Sequence, residues 1–242
     1  MNRPTDVAIV LRRWEYSETS QTVSALSREH GVIRGLAKGA LRPASPFSGG
    51  FEPMTRGHLG WIVKSGRDLS ILTEWMVEDV YWGTRRRPAS NRAALYAVDL
   101  AGRILTDHDP HPDVFDALDA VLGALGDAET PAMPLAAYQW TVLASAGWRP
   151  VVSHDVETGE PLPDTESVLG FRPGDGGVVA LASAGDWAVR RETIEALQAM
   201  ERGQRPTDPA VATRASALLA AYTRELLGEQ TEAMRQAFPD LR

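Results

Sequence analysis

The first 80 or so residues alternate between short apolar, β-branched runs and clusters of turn residues. The turn signals include the string YSETS, the pair His30-Gly31 and the pair Ser65-Gly66. Five runs between these turns are predicted as strands, over residues 7–11, 22–26, 32–38, 59–64 and 69–75. Five short strands in so little chain are typical of a small closed barrel, and the OB-fold is the five-stranded form.

From Asn91 onward the apolar positions recur with a helical period, as at Ala94, Val98 and Ala101. Further helices are predicted over residues 113–125, about 134–146 and about 208–227. Residues 148–187 are rich in Gly, Pro, Asp and Ser and are predicted to form a loop-rich insertion with short β-like pieces.

The pattern therefore predicts an α+β protein with two domains. Residues 1–83 form a five-stranded OB-fold barrel, expected to bind nucleic acid. Residues 84–242 form a helical domain that the 148–187 insertion interrupts. The third and fourth strands of the barrel are joined by the segment GLAKGALRPASPFSGGFEP, which is basic, aromatic and rich in turn residues, and which we expect to be flexible and to face solvent.

Charge is distributed unevenly along this acidic chain, whose net charge is -7. Residues 1–90 contain 13 Lys+Arg and 9 Asp+Glu, whereas the remainder contains 12 and 23. Because phosphate backbones respond to local potential, a basic N-terminal part indicates a nucleic-acid partner. The chain has no cysteine and no apolar run of the roughly 18 to 20 residues that span a bilayer, so we expect a soluble, cytoplasmic protein without disulfides.

The candidate DNA-binding residues are the basic side chains of the predicted barrel. Arg34 and Lys38 are four residues apart on one strand and so lie on the same face. Trp14, Phe47 and Trp61 are candidate stacking surfaces for unpaired bases, although aromatic residues in a small barrel more often belong to the core. The full basic set is Arg12, Arg13, Arg34, Lys38, Arg42, Arg56, Lys64 and Arg67.

Other chemistry has weaker support in the sequence. The string DHDPHPD at 107–113 resembles a metal site, but its prolines and its position between two helices favour a structural interpretation. GDGG at 174–177 lacks the Lys and Ser/Thr of a phosphate-binding loop, and no nucleophile elbow is present. The run Arg85 to Arg87 fits a solvated linker or a phosphate contact equally well. We therefore predict no catalytic residue, no cofactor and no metal.

The N-terminal string resembles the opening domain of the RecO family of bacterial recombination mediators. The resemblance rests on a strand that ends in Arg-Arg, the Tyr-x-Glu turn, the Arg-Glu-His-Gly turn, Ala-Lys-Gly-Ala followed by Arg-Pro, and Phe-Glu-Pro. It implies a protein that is not an enzyme, that binds single- and double-stranded DNA and that anneals complementary strands. It also implies contacts with single-strand-binding protein and with RecR, and help in loading RecA during DNA repair.

The chain departs from the RecO pattern in the insertion. Many members carry two CxxC pairs that bind zinc, whereas the corresponding positions here are His154 with Glu157 and Ala180 with Ser183. Because alanine and serine do not supply the missing thiolates, we expect the insertion to keep its shape without zinc.

Two other functions remain open from the residues alone. An OB-fold that binds RNA or acts in translation is the main alternative, and strand annealing on DNA would separate the two. A metal-dependent hydrolase built on DHDPHPD is the third, and elemental analysis would test it.

Overall fold

The computed structural model describes residues 4–63 and 69–241 and divides the chain into two compact units, Met1–Asp127 and Ala128–Arg242. The first unit begins with five strands that close into a barrel in the order β1-β2-β3-β5-β4. Only β3 and β5 pair in parallel. The strands are β1 (Thr5–Ser17), β2 (Ser20–Ser27), β3 (Gly31–Ala37), β4 (Arg56–Ile62) and β5 (Ser70–Asp79). The predicted five-stranded barrel is confirmed.

The alternation of side chains along the strands fills the barrel. Ala8 and Val10 on β1, Val23 on β2 and Ile33 on β3 belong to one buried cluster, and their neighbours face the other way. At Gly57 the barrel leaves no room for a side chain, because a Cβ atom there would lie 2.2 Å from the carbonyl oxygen of Met76. Close packing of β4 against β5 therefore requires glycine at this position.

The segment between β3 and β4 closes one end of the barrel. Phe47 and Phe51 are buried in the same cluster as the strand residues, and Phe51 stacks on Trp75 with 5.2 Å between ring centroids. The Phe51 N–H donates to Oε1 of Gln21 at 3.0 Å, and the Trp75 N–H donates to the carbonyl of Pro46 at 2.9 Å. The expectation of a loop that faces solvent throughout is therefore wrong, because two of its aromatic side chains complete the core.

Three helices belong to the first unit: α1 (Trp82–Arg86), α2 (Pro88–Ile104) and α3 (Pro112–Leu125). The predicted apolar stripe of α2, with Ala94, Val98 and Ala101, is buried. The domain boundary predicted after residue 83 falls inside α1, shortly after the last strand of the barrel ends at Asp79. The compact unit extends further, to Asp127, because α2 packs on β1 and β2.

The second unit combines helices with a small sheet. Its helices are α4 (Ala132–Ser145), α5 (Arg191–Glu201), α6 (Pro209–Leu227) and α7 (Glu232–Ala237). Asp208 caps α6 by accepting hydrogen bonds from the N–H groups of Ala210 and Val211, and Gly228 ends that helix in the left-handed region. The bounds predicted for α4 and α6 agree with the observed ones to within two residues, whereas the sequence pattern predicts no separate helix at α5.

The insertion is more regular than its composition indicates. It contains a three-stranded sheet in the order β7-β6-β8, formed by β6 (Val168–Arg172), β7 (Gly177–Val179) and β8 (Trp187–Arg190). Phe171 is buried between Trp187 and Tyr222, with ring centroids 5.7 Å and 5.6 Å away. Very short strands separated by glycine-rich turns produce too little alternation to be recognised from the sequence.

A buried carboxylate joins the two turns in which RecO zinc ligands are expected. Asp155 is 5% exposed, and its Oδ1 accepts hydrogen bonds from the N–H groups of Glu157 at 2.8 Å and Thr158 at 3.1 Å. Its Oδ2 accepts from the N–H of Ala180 at 2.7 Å. Burial alone would raise the pKa of Asp155, but these donors outweigh it and hold the pKa below its usual range.

We predict that Asp155→Asn destabilises the protein by about 1.5–3 kcal/mol at neutral pH, because a charged acceptor of three N–H groups is lost. A carboxyl group with a lowered pKa contributes stability above its usual pKa and loses it as the pH falls through the lowered value. The difference between variant and parent should therefore shrink in acid. Urea unfolding at neutral pH and in acid measures this difference in stability, and the exposed Asp164→Asn is the control. Equal stability of the parent and Asp155→Asn at neutral pH would contradict the role of this carboxylate.

We also predict that the purified protein contains no stoichiometric zinc. Ala180 and Ser183 stand where two cysteine ligands are expected, and the Asp155 carboxylate already links the turns. A chelator should leave the thermal unfolding curve unchanged, since no metal contributes to folding. Zinc at one equivalent by elemental analysis, with unfolding shifted by the chelator, would be the opposite result.

Candidate nucleic-acid interface

The outer face of β1, β2 and β3 brings the first candidate residues together. The strand register sets Arg12 opposite Ser24 and Ser24 opposite Arg34, which gives one row across three strands. The next row places Trp14 opposite Thr22 and Thr22 opposite Leu36. Arg34 is exposed on β3, and Lys38 is exposed in the turn that directly follows this strand.

The aromatic candidates separate into core and surface. Phe47 and Trp61 are 2% and 1% exposed, so their prediction as stacking surfaces is wrong and the core interpretation is confirmed. Trp14 is 45% exposed and lies 5.7 Å from the guanidinium of Arg12. Tyr16, which the sequence analysis treated only as part of a turn, is 66% exposed. Its spacing from Trp14 could not have identified its face, because the pairing of β1 with β2 shifts register between Glu15 and Ser17.

Carboxylates of the first unit engage four of the predicted DNA-binding arginines. The pairs are Arg12 with Asp99, Arg13 with Glu52 at 2.9 Å, Arg34 with Asp107 at 3.1 Å and Arg56 with Asp119 at 2.8 Å. Asp99 lies on α2 and Asp119 on α3. Carboxylates on two helices and on two connecting segments of this unit therefore pair with four of the arginines that the sequence places in the barrel.

Arg56 is part of a network at the side of the barrel. Besides Asp119, its guanidinium approaches Glu78 at 3.6 Å. The hydroxyl of Tyr81 donates to Asp119 as well. Burial and this hydrogen bond raise the pKa of Tyr81, so the phenol stays protonated across the physiological range. These contacts give Arg56 a role in joining α3 to the barrel.

Lys38 and Arg42 differ from the cationic residues that the structure describes on the barrel strands. Both side chains are exposed, and within residues 4–63 and 69–241 neither has a carboxylate within 4 Å. Their backbone is nevertheless held, because the Gly39 N–H donates to Oγ of Ser20 at 3.1 Å and the Leu41 N–H donates to the carbonyl of Thr19 at 3.1 Å. The backbone that carries these two cations is thus held beside the turn between β1 and β2.

Two further basic segments of the sequence are residues 64–67 and residues 85–87. Lys64 and Arg67 lie outside the described residues. The Arg85 guanidinium donates to the carbonyls of Val80 and Pro53 at 3.1 Å and 3.0 Å, so it supports the barrel, whereas Arg86 is exposed.

The DHDPHPD segment packs against the start of β3. The His108 N–H donates to the carbonyl of Val32 at 3.1 Å, and Asp107 pairs with Arg34. Gly31 lies so close to this segment that a Cβ atom would be 2.2 Å from the carbonyl oxygen of Asp109. Among the described residues no group of three His, Asp or Glu side chains is arranged to hold a metal ion.

These features define a protein with an OB-like barrel followed by helices. A family model for the N-terminal part of recombination protein O matches residues 1–81, and a model for its C-terminal part matches residues 85–235. The chain therefore belongs to the RecO family. Throughout the part of the chain that the structure describes, no helix is both long and apolar enough to cross a membrane.

Three relatives illustrate the similarity, and each is named DNA repair protein RecO. The one from Anaeromyxobacter sp. (strain Fw109-5) is 31% identical over 94% of this chain and 92% of its own. The one from Myxococcus xanthus is 28% identical over 97% and 96%. The one from Cutibacterium acnes is 32% identical over 81% and 80%.

Proposed function

We propose that this protein binds single- and double-stranded DNA in the cytoplasm through the outer face of β1–β3 and acts in DNA repair and recombination. The observation that carries the proposal is twofold: Lys38 and Arg42 are exposed near the turn between β1 and β2 with no carboxylate within 4 Å among the described residues, and the rings of Trp14 and Tyr16 on β1 are exposed. Cations that follow a phosphate backbone, combined with rings on which bases stack, are the means by which OB-folds bind single strands. Family membership and the names of the relatives support the repair role.

In this role the protein brings complementary strands together without catalysing a covalent step. Binding two strands at once neutralises phosphates whose repulsion opposes pairing, and such binding needs neither a nucleophile nor a metal. We expect no catalytic activity of its own.

The second unit is suited to protein partners. Residues 128–242 contain 16 Asp+Glu against 10 Arg and no Lys, an excess of negative charge that disfavours phosphate. We propose that RecR and single-strand-binding protein are partners of the full chain, and that through them the protein helps to load RecA.

Annealing of complementary fluorescent oligonucleotides tests the function. The full chain should accelerate duplex formation between DNA strands, and the acceleration should fall as salt rises because it depends on phosphate contacts. The same assay with RNA strands addresses the alternative of an RNA-binding protein. Binding and annealing of RNA, without measurable binding to DNA, would overturn the proposal in favour of that alternative.

A further inference from the structure

A small cavity lies between the outer face of the barrel and α2. Its volume is about 100 Å³, and its walls include Leu11, Arg12 and Trp14 on one side and Asp99 and Gly102 on the other. The side chain of Arg34 completes it. At ~30 Å³ for each water molecule in the liquid, the cavity holds about three waters, which is the space of one small ring.

The two guanidinium groups that line this cavity already have carboxylate partners. Arg12 pairs with Asp99, and Arg34 pairs with Asp107 at 3.1 Å. Asp99 also accepts from Nε of Arg103 at 3.1 Å and is largely buried. A phosphate would add negative charge to a site whose guanidinium groups already have carboxylate partners. The cavity therefore suits a neutral ligand with hydrogen-bonding groups rather than an anion.

The shape of the cavity suits a flat ligand. Trp14 supplies an aromatic wall, and its ring lies 5.7 Å from the guanidinium carbon of Arg12, which is itself planar. Gly102 leaves the cavity open on the α2 side. A Cβ atom at this position would contact Cδ1 of Leu11 at 3.5 Å, and a longer side chain would enter the cavity.

We propose that this cavity takes one unpaired nucleobase of a single strand whose phosphates pass Lys38 and Arg42. The base packs against Trp14, its amino group donates to Asp99, and its carbonyl oxygen accepts from Arg12 or Arg34. A pyrimidine fits the volume better than a purine. The inference rests on the proposed function, since the strand must first be held by its phosphates. A paired base is not available, so the cavity favours single strands over duplex.

The test compares two probes of about 12 nucleotides, an oligodeoxycytidine and an abasic strand with the same phosphates. Gly102→Leu fills the cavity, and Gly123→Leu is the matched control, because Gly123 is a glycine of helix α3 with open space around it. Circular dichroism and thermal unfolding of both variants establish that they fold. Trp14→Ala, a change at a half-exposed side chain, is an independent second variant.

The parent protein should bind the cytidine strand at least roughly 5-fold more tightly than the abasic strand, the lower end of the effect of one stacked base. Gly102→Leu should reduce this ratio several-fold, with unchanged affinity and salt dependence on the abasic strand, and Trp14→Ala should reduce the ratio as well. A ratio near one in the parent, or a ratio that Gly102→Leu leaves intact, overturns the nucleobase site while leaving the phosphate contacts standing. Failure of the parent to bind either strand would overturn the proposed function itself.

Discussion

Replacing both Lys38 and Arg42 by glutamate should weaken binding to single-stranded DNA by at least roughly 25-fold at 0.1 M salt. Each phosphate contact on a single strand contributes about 0.7 to the slope of log affinity against log salt, so the loss of two lowers the slope by about 1.4. On duplex DNA, where each contact contributes about 0.9, the slope should fall by about 1.8. Fluorescence anisotropy across a salt series measures both quantities.

The fold should survive this double substitution. Both side chains are exposed and lack a carboxylate partner among the described residues, so little of the core depends on them. The double change Arg202→Glu and Arg205→Glu is the matched control, since it alters the net charge equally at exposed positions of the second unit. If the control weakened binding as much as the Lys38 and Arg42 pair, the effect would come from total charge and not from this site.

Phe51→Ala should destabilise the protein by about 3–5 kcal/mol, the usual cost of deleting a buried aromatic side chain. Phe51 is 0% exposed, packs on Trp75 and belongs to the cluster that closes the barrel. Guanidinium unfolding followed by tryptophan fluorescence measures the loss directly, because Trp75 lies in the same cluster. The buried ring is the reason why a segment with the composition of a surface loop keeps a fixed path.

Leu41→Ala in the same segment is the comparison, because Leu41 is half-exposed and should cost less than about 1 kcal/mol. A small effect of Phe51→Ala, similar to that of Leu41→Ala, would mean that the segment is not part of the barrel core.

The sequence predicts the barrel well because its evidence is local. Alternation places Val23 and Ile33 inside, and the His30-Gly31 pair marks the turn between β2 and β3. The same alternation places Arg34 on the outside. The path of the segment after β3, by contrast, depends on residues that are distant in the sequence. Whether Phe47 and Phe51 face solvent or plug the barrel depends on the space left by β1, β2 and β5, which no spacing in the segment reveals.

The sequence predicts which basic residues lie in the candidate site, but it does not predict which of them have carboxylate partners. Arg12, Arg34 and Lys38 are all candidate DNA-binding residues in the sequence, and only the fold shows that Arg12 pairs with Asp99 and Arg34 with Asp107. Asp99 and Asp107 are 87 and 73 residues away from Arg12 and Arg34 along the chain. The carboxylate of Asp155 was missed for the same reason, since its partner Ala180 lies 25 residues further on.

Photochemical cross-linking of the full chain to single-stranded DNA, with the modified peptides identified by mass spectrometry, shows which surface holds the strand. We expect adducts on the exposed rings of Trp14 and Tyr16 and in the peptide that contains Lys38 and Arg42, with loss of these adducts at high salt. Adducts confined to residues 128–242, with none in the barrel, would contradict this expectation.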